Sequence, residues 1–186
     1  NKNNKEFFKN LFNECSYLMQ TIMGLSQPVI AEVCGIAAAA GCQLVASCDL
    51  AVASEQATFM TPGVNIGLFC STPMVAVSRN INRKKMMEML LTGEKVSAKE
   101  AVELGLINHC ISFDKLKNKT LDLANLIASK PRSTVTIGKE AFYKQVEMPI
   151  AEAYNYTSEV MAMNMLELDA QEGINAFLEK RVPSWN

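Results

Sequence analysis

The sequence predicts an α/β core over residues 1–112, followed by a helical C-terminal subdomain over residues 113–186. Short apolar runs typical of buried strands occupy residues 29–33, 50–53, 58–60 and 107–111. Helical patterns separate several of these runs, and after residue 112 the apolar residues recur only at helical spacing. Because strands that alternate with helices are typical of α/β proteins, we assign the first part to that class.

The composition excludes several classes of protein. The chain has 186 residues, 49% of them hydrophobic, which is enough for one sizeable core. A net charge of −1 gives no indication of a nucleic-acid or anionic-membrane partner. No apolar run is long enough to span a membrane, and no signal peptide is evident. The first residue is Asn1 rather than Met, so we expect that the natural N-terminus was trimmed or left out. Six cysteines without a Cys-x-x-Cys pair, and a single histidine, predict free thiols and no metal site.

The first elements form a helix, a strand and a turn. Apolar residues at helical spacing over 7–22 predict an amphipathic helix that ends before Pro28. The strand over 29–33 ends at Gly35, and small residues over 37–41 predict a turn into a helix that ends near Ser47. A small-residue turn at a helix N-terminus suits a developing negative charge, because its N–H groups are unpaired. Alternatively, the alanines only let a helix lie close to a sheet.

The middle of the chain alternates loops and helices. Residues 61–71 predict a loop, and Thr72 with Pro73 predicts the N-cap and first residue of a helix that reaches about residue 81. A helix over 84–91 ends at Gly93, and residues 97–100 predict a capping box. Four further helices are predicted over 114–128, 133–146, 149–168 and, after a cap at 169–172, the last segment.

Several motifs together resemble the enoyl-CoA hydratase/isomerase (crotonase) family. They are the stretch from Val29 to Asp49 and, in order, residues 49–54, 58–62, 91–93, 101–106 and 177–181, so that the resemblance runs from about residue 18 to 185. It implies a spiral core of ββα units, here N-terminally incomplete, and C-terminal helices that form homotrimers or hexamers. It also implies an acyl-CoA thioester as substrate or ligand, no other cofactor, and a cytoplasmic location in a bacterium or a mitochondrial one in a eukaryote.

The resemblance also assigns an oxyanion donor. Family members polarise the thioester carbonyl with two backbone N–H groups, and one of them matches Ala40 at the helix start. The other comes from a segment that family members carry before the point where this chain begins. A backbone donor tolerates Gly→Ala replacement where φ is negative, so Ala40 is an acceptable substitute for the family's glycine.

The family's acid/base residues are not matched. Hydratases of the family use two glutamates; Gln43 stands at the first position and Gly63 at the second, the one that isomerases commonly keep. An amide orients water but does not carry a proton near neutral pH, and glycine has no side chain. We therefore expect weak or absent hydratase activity. Whether the chain is an enzyme with another reaction, or a non-catalytic acyl-CoA-binding or scaffolding homologue, stays open.

Binding residues are implied by the same resemblance. Four residues around the turn and the loop are expected to contact substrate: Ala38, Gly41, Pro62 and Phe69. Phe177 is expected to flank the nucleotide or acyl tail, and Lys180 with Arg181 to meet the CoA phosphates. The alternative for these cations is a basic helix end that complements the helix dipole.

Other potentially reactive side chains are expected to have structural rather than catalytic roles. Glu32, Glu55 and His109 match no catalytic position and are expected to be structural or solvated. Cys42 lies at a helix start, which lowers a thiol pKa, but packing is the favoured role. Loop residues are expected to form pocket wall: Thr61, Asn65, Cys70 and Ser71. A Clp-type serine peptidase is excluded because residues 39–41 hold no hydroxyl.

Overall fold

The computed structural model describes residues 4–185, which divide into two compact units. The first contains the chain up to Leu25 and Val29–Asp122; the second contains Ser26–Pro28 and the chain from Leu123 onward. The division falls inside helix α6 (Phe113–Ala128), after the boundary at residue 112 that the sequence suggested. Each unit is described by itself.

The first unit begins with the predicted amphipathic helix, α1 (Lys5–Gly24), whose N-cap Asn4 accepts a hydrogen bond from the Phe7 N–H. Strands β1 (Ile30–Val33) and β2 (Ile36–Ala38) follow, and then helix α2 (Ala40–Ser47). The small-residue run was expected to be a turn, but its first part is strand β2. Alanine has little intrinsic preference for strands, so the pairing with a neighbouring strand decides this conformation.

Two small sheets organise the first unit. One has the order β1-β3-β6 and is parallel throughout, with β3 at Leu50–Ser54 and β6 at His109–Ile111. The other has the order β2-β4-β5, with β4 at Thr58–Met60 and β5 at Val96–Ser97; β2 and β4 are parallel, whereas β4 and β5 are antiparallel. The first two strand pairs, β1 with β2 and β3 with β4, each give one strand to each sheet before a helix follows, which is a ββα repeat; β5 and β6 are separated by a helix.

Side chains fix where the first sheet begins. The Asp49 carboxylate accepts a 2.6 Å hydrogen bond from the Val29 N–H at the entrance to β1. The Asn108 amide oxygen accepts a 2.8 Å bond from the Ala51 N–H at the start of β3. Both acceptors come from the residue that precedes a neighbouring strand, so these two backbone donors near the strand starts are satisfied by side chains.

Short helices follow the second strand pair: a 3₁₀ helix (Pro62–Ile66), α3 (Pro73–Val77), α4 (Arg83–Thr92) and α5 (Ala98–Glu103). The predicted positions are confirmed for α3, which has Thr72 at its N-cap and Pro73 as its first residue, but the Thr72 side chain makes no capping bond. Only half of the predicted capping box forms. The Ser97 hydroxyl accepts a bond from the Glu100 N–H, while the Glu100 carboxylate pairs with Lys85 at 2.7 Å.

The core of the first unit is built largely from small and flexible side chains. Phe59 of β4 is its largest fully buried side chain, and more than half of the buried cluster that contains it consists of alanines, cysteines and methionines. Small residues on both strands and helices allow their backbones to approach closely, and methionine fills irregular gaps. Within the turn, Ala37 belongs to this core and Ala39 packs against it, whereas Ala40 is exposed, so the packing role expected as an alternative applies only to part of the run.

The second unit is helical in the part of the chain that the structure describes. It contains the end of α6, α7 (Arg132–Gln145), α8 (Ile150–Asn164) and α9 (Leu168–Glu179). The predicted cap at 169–172 is wrong, because Glu167 occupies the N-cap position. Asp169 lies instead in the first turn, where its carboxylate accepts a 3.1 Å bond from the Ser133 hydroxyl of α7. Within residues 4–185, no helix combines the length and the hydropathy needed to cross a membrane.

A pair of methionines on one helix tests this core. Met89 of α4 is 2% exposed and Met87 is 49% exposed. We expect Met89→Ala to lower the free energy of unfolding by about 2–5 kcal/mol, because it leaves a cavity. Met87→Ala should change it by less than about 0.5 kcal/mol. Urea unfolding of both variants measures the difference, and equal losses would contradict this packing.

Candidate functional site

The candidate site lies where two parallel strands end side by side. Ala38, the last residue of β2, is opposite Met60, the last residue of β4. The Ala39 N–H donates a 3.0 Å hydrogen bond to the Met60 carbonyl, which extends the ladder one step further. Since the carboxyl ends of parallel strands share one edge, the start of α2 and the segment from Thr61 to Gly63 are neighbours.

The turn before α2 is strained. Ala39 has φ 48° and ψ −112°, a conformation that residues other than glycine rarely adopt. The Gln43 N–H donates to the Ala39 carbonyl at 3.0 Å and closes the first helical turn. The N–H groups of the preceding helical residues, Ala40 among them, therefore lack an intrahelical acceptor. Ala40 is exposed, and a β carbon built on Gly41 meets nothing within 4 Å, so this end of the helix is open to a ligand.

Gln43 is buried, with 4% of its surface exposed. Its side-chain oxygen is 3.8 Å from the Cys15 sulfur of α1, a distance that fits a weak hydrogen bond from the thiol. Helix α1 therefore helps to hold this amide in place, although the sequence offered no sign that Cys15 has that role. The amide can orient a polar group, but it carries no exchangeable charge near neutral pH.

Gly63 has no room for a side chain. Its N–H donates a 3.3 Å bond to the Cys70 sulfur, and the Leu68 N–H donates to its carbonyl at 2.9 Å. A β carbon at this position would lie 2.9 Å from the Cys70 sulfur and 2.9 Å from the Leu68 carbonyl oxygen. Because one of these neighbours is backbone, any larger residue must move the segment from 64 to 70. The sequence identified Cys70 as pocket wall but contained no signal for this contact.

Cys42 is fully buried beside this segment. Desolvation raises the pKa of its thiol to about 12, against a smaller lowering by the backbone of Met60 and a further rise from nearby Cys70. Burial therefore outweighs any lowering by the helix N-terminus. The thiol stays protonated at neutral pH, which supports the packing role that was favoured for it.

The remaining candidates near the loop differ in exposure. Phe69 is 45% exposed and Pro62 is half-buried, so both present surface at this edge. Thr61 is completely buried, and its hydroxyl has no hydrogen-bond partner among residues 4–185. It therefore presents no surface for a substrate, and the burial argues against a role as nucleophile.

Three of the other reactive residues lie apart from this edge. His109 is in β6 of the other sheet, opposite Val52 of β3. Glu32 and Glu55 are exposed on or beside the same sheet. No cluster of three or more potential metal-ligating His, Cys, Asp or Glu side chains occurs in the described range 4–185.

The second unit contains the residues expected to meet CoA. Phe177 is 81% exposed and borders an open cavity of ≈420 Å³ between helices α7, α8 and α9. Lys180 ends α9 in a left-handed conformation. Arg181 is paired with Glu172 and Glu179, so its guanidinium is already occupied within this unit. The sequence did not indicate that Glu172 pairs with Arg181 or that Trp185 borders the cavity, because these contacts join residues across a helix end.

Comparison with known proteins agrees with the architecture. The family model described as enoyl-CoA hydratase/isomerase matches residues 1–186. "Enoyl-CoA hydratase domain-containing protein 3, mitochondrial" of Xenopus laevis is 49% identical over 97% of this chain, and the human protein of that name is 50% identical over 98%. The crystal structure of an enoyl-CoA hydratase from Mycobacterium smegmatis has a TM-score of 0.97 and 50% identity, covering 98% of this chain and 71% of that one.

The chain belongs to the enoyl-CoA hydratase/isomerase family and has the crotonase fold. The Ala-Ala-Ala-Ala-Gly-Cys-Gln form of the turn predicts a likeness to the branch of enoyl-CoA hydratase domain-containing protein 3 in particular, and these relatives confirm it. The chain spans 62% of the Xenopus relative and 60% of the human one.

The tight contact at Gly63 is directly testable. Gly63→Ala should lower the free energy of unfolding by about 1–3 kcal/mol, because the methyl group meets the Leu68 carbonyl and the Cys70 sulfur. Gly138→Ala is the matched control. It lies inside α7 with nothing within 4 Å, and should stabilise the protein by about 0.5–1 kcal/mol. Denaturant unfolding measures both changes; a neutral or stabilising Gly63→Ala would show that the loop gives way easily.

Proposed function

We propose that this protein binds acyl-CoA thioesters in fatty-acid or acyl-CoA metabolism and polarises their carbonyl group, with weak or absent hydratase activity. The observation that carries the proposal is the strained turn at Ala39, which leaves the Ala40 N–H at an open helix start. A preorganised backbone donor stabilises negative charge that develops on a carbonyl oxygen, because it needs no reorganisation during the reaction. The second donor that the family uses has no match within residues 1–186.

The acid/base equipment argues against efficient hydration. Adding water across a conjugated double bond requires a base that takes a proton from water and an acid that delivers one to carbon. Each such group typically contributes about 10²–10⁴-fold to the rate. Gln43 offers an amide and Gly63 offers no side chain, so neither position supplies these steps. The thioester would be bound and polarised without rapid turnover.

A second candidate function is a non-catalytic acyl-CoA-binding or scaffolding protein. The contact at Gly63 favours it, because the space that a second carboxylate needs is filled by the Leu68 carbonyl and Cys70. A chemically altered enzyme would need another proton carrier near the turn. Cys42, with its raised pKa, is a poor candidate for that role.

The proposed assembly is a homotrimer or a hexamer formed by the C-terminal helices. Large apolar side chains of α8, of the segment after it and of the first residue of α9 are exposed: Tyr154, Met161, Met163, Met165, Leu166 and Leu168. Val160, expected in the same surface, is half-buried. Many large apolar side chains exposed on one segment of the chain are typical of an interaction site. For a eukaryotic source we propose a mitochondrial location, as in the names of the vertebrate relatives.

Binding and turnover are tested together on the full-length protein. Calorimetry with acetyl-, crotonyl- and longer acyl-CoAs should give saturable binding. The absorbance of crotonyl-CoA should decay slowly or not at all, because the acid/base pair is lacking. A kcat/KM in the upper enzyme range, near 10⁷–10⁸ M⁻¹s⁻¹, would contradict the proposal. So would a lack of binding up to millimolar ligand.

The double change Gln43→Glu with Gly63→Glu serves as a companion variant in the same assay. Two carboxylates at these positions would supply the missing acid and base only if the pocket had room for the second one. The contacts at Gly63 leave none, so we expect the double variant to stay inactive and to lose stability.

Sedimentation of the full-length protein tests the assembly. A species of three or six subunits at micromolar concentration is expected, because the exposed apolar residues of α8 need a covering surface. Met161→Glu should shift the equilibrium toward monomer, whereas Glu152→Gln, on the same helix but with no apolar surface to lose, should not. A monomer at that concentration would contradict the proposed assembly.

A further inference from the structure

The backbone and the side chain of Gln43 are both held in the first unit. The Gln43 N–H donates to the Ala39 carbonyl at 3.0 Å, and its carbonyl accepts a 2.8 Å bond from the Ser47 hydroxyl. Only 4% of the residue is exposed. Because side chains of a helix lean toward its N-terminus, the Gln43 amide leans toward the first turn of α2, where the Ala40 N–H is open. The amide therefore borders the candidate site.

The Cys15 thiol fixes which end of this amide is free. Its sulfur is 3.8 Å from the Gln43 Oε1 atom, and the thiol is the donor because an amide oxygen only accepts. Met19, one turn further along α1, is 6% exposed, so this part of the helix is anchored in the first unit. The oxygen of the Gln43 amide therefore faces α1.

The nitrogen of the same amide has no partner. Among residues 4–185 it makes no hydrogen bond, and it is not one of the fully buried side-chain atoms that lack one, which belong to Thr58, Thr61 and Asn164. The small exposed fraction of Gln43 therefore includes this nitrogen. An amide nitrogen can only donate hydrogen bonds. At the candidate site Gln43 thus offers a donor, while the oxygen that could accept a hydrogen bond from an attacking water faces Cys15.

We propose that Cys15 is a positioning residue that holds the Gln43 amide with its oxygen inward, so that the nitrogen donates to an oxygen atom in the acyl group of a bound thioester. The inference rests on the proposed function, because it needs an acyl thioester at the start of α2. It adds a preference for acyl groups that carry a hydrogen-bond acceptor beyond the thioester carbonyl. A donor that is already oriented needs less ordering when the ligand binds.

Infrared spectroscopy of the full-length protein tests the positioning. Subtracting the spectrum of Cys15→Ala isolates the S–H band of Cys15, and a thiol that donates a hydrogen bond absorbs at lower frequency than a free one. Gln43→Leu removes the acceptor and should move this band to higher frequency. Cys34 is exposed between β1 and β2, so the band isolated with Cys34→Ala should not move and is the control.

Calorimetry with matched ligands tests the contact with the acyl group. Methoxyacetyl-CoA differs from butyryl-CoA, and 3-methoxypropionyl-CoA from pentanoyl-CoA, by one ether oxygen in place of a methylene group. The two pairs place the oxygen at different depths, and an ether oxygen accepts hydrogen bonds without donating them. We expect the unmodified full-length protein to bind the ether about twofold to tenfold more tightly in at least one pair, the range of one neutral hydrogen bond.

Variants then connect the two residues. Gln43→Leu should abolish the preference for the ether. Cys15→Ala lets the amide turn over and should reduce the preference by no more than Gln43→Leu does. The double variant should match Gln43→Leu, because Cys15 acts through Gln43 and the two effects do not add. Cys34→Ala should keep the preference of the unmodified protein.

The contrary results are distinct. A Cys15 thiol band that Gln43→Leu leaves in place, or a preference for the ether that Cys15→Ala leaves unchanged, would overturn the positioning role. Equal affinities within both ligand pairs would overturn the contact between Gln43 and the acyl group while leaving acyl-CoA binding intact. Failure of all four thioesters to bind would overturn the proposed function and this contact with it.

Discussion

The parallel pairing of β2 with β4 is the constraint on which the candidate site depends. It sets Ala38 against Met60, so the backbone beyond each strand emerges at the same edge of the sheet. The start of α2 and the segment around Gly63 become neighbours for this reason alone. Phe59, the central residue of β4, is fully buried, so a shift of one residue would turn it out of the core. Packing of one aromatic side chain thereby protects the register that the site requires.

The turn at Ala39 stores strain that this pairing supports. A non-glycine residue in such a conformation costs about 1–3 kcal/mol and needs surrounding structure to maintain it. Here the Ala39 N–H is bound to Met60, and the Ala39 carbonyl receives the Gln43 N–H. Both peptide groups of the turn are fixed before any ligand arrives. The result is a rigid helix start, which is what a backbone oxyanion donor requires.

Sequence patterns predicted those features that depend on local order. The strands over 50–53 and 58–60 were correctly located because their apolar runs are short and bounded by turn residues. Strand β2 was missed, since alanines favour no particular element and its pairing with β4 is a long-range contact. The capping role of Asp169 was misassigned, because α9 already begins at Leu168 and Glu167 occupies its N-cap. Thr72 was placed correctly before the first residue of α3, but its side chain makes no capping bond.

The candidate site was predictable by position but not by geometry. The resemblance was enough to single out Ala40, Gln43 and Gly63, whereas the crowding of Gly63 depends on a carbonyl and a sulfur several residues later. Cys15 beside Gln43 and Glu172 beside Arg181 were missed for the same reason: each pair joins residues that no short motif contains. A sequence shows which residues are charged or small, but the fold determines which other residues they contact.

The claim that Ala40 polarises a thioester is tested most directly by infrared spectroscopy of bound crotonyl-CoA, isotopically labelled at the thioester carbonyl. A hydrogen bond from a preorganised donor lengthens that carbonyl, so its stretching frequency should fall on binding to the full-length protein. Ala40→Pro removes the N–H and should abolish the fall in protein that keeps the native circular dichroism; Ala40→Gly keeps the N–H and should preserve it. An unshifted carbonyl in the unmodified protein, or an equal shift in Ala40→Pro, would contradict the account.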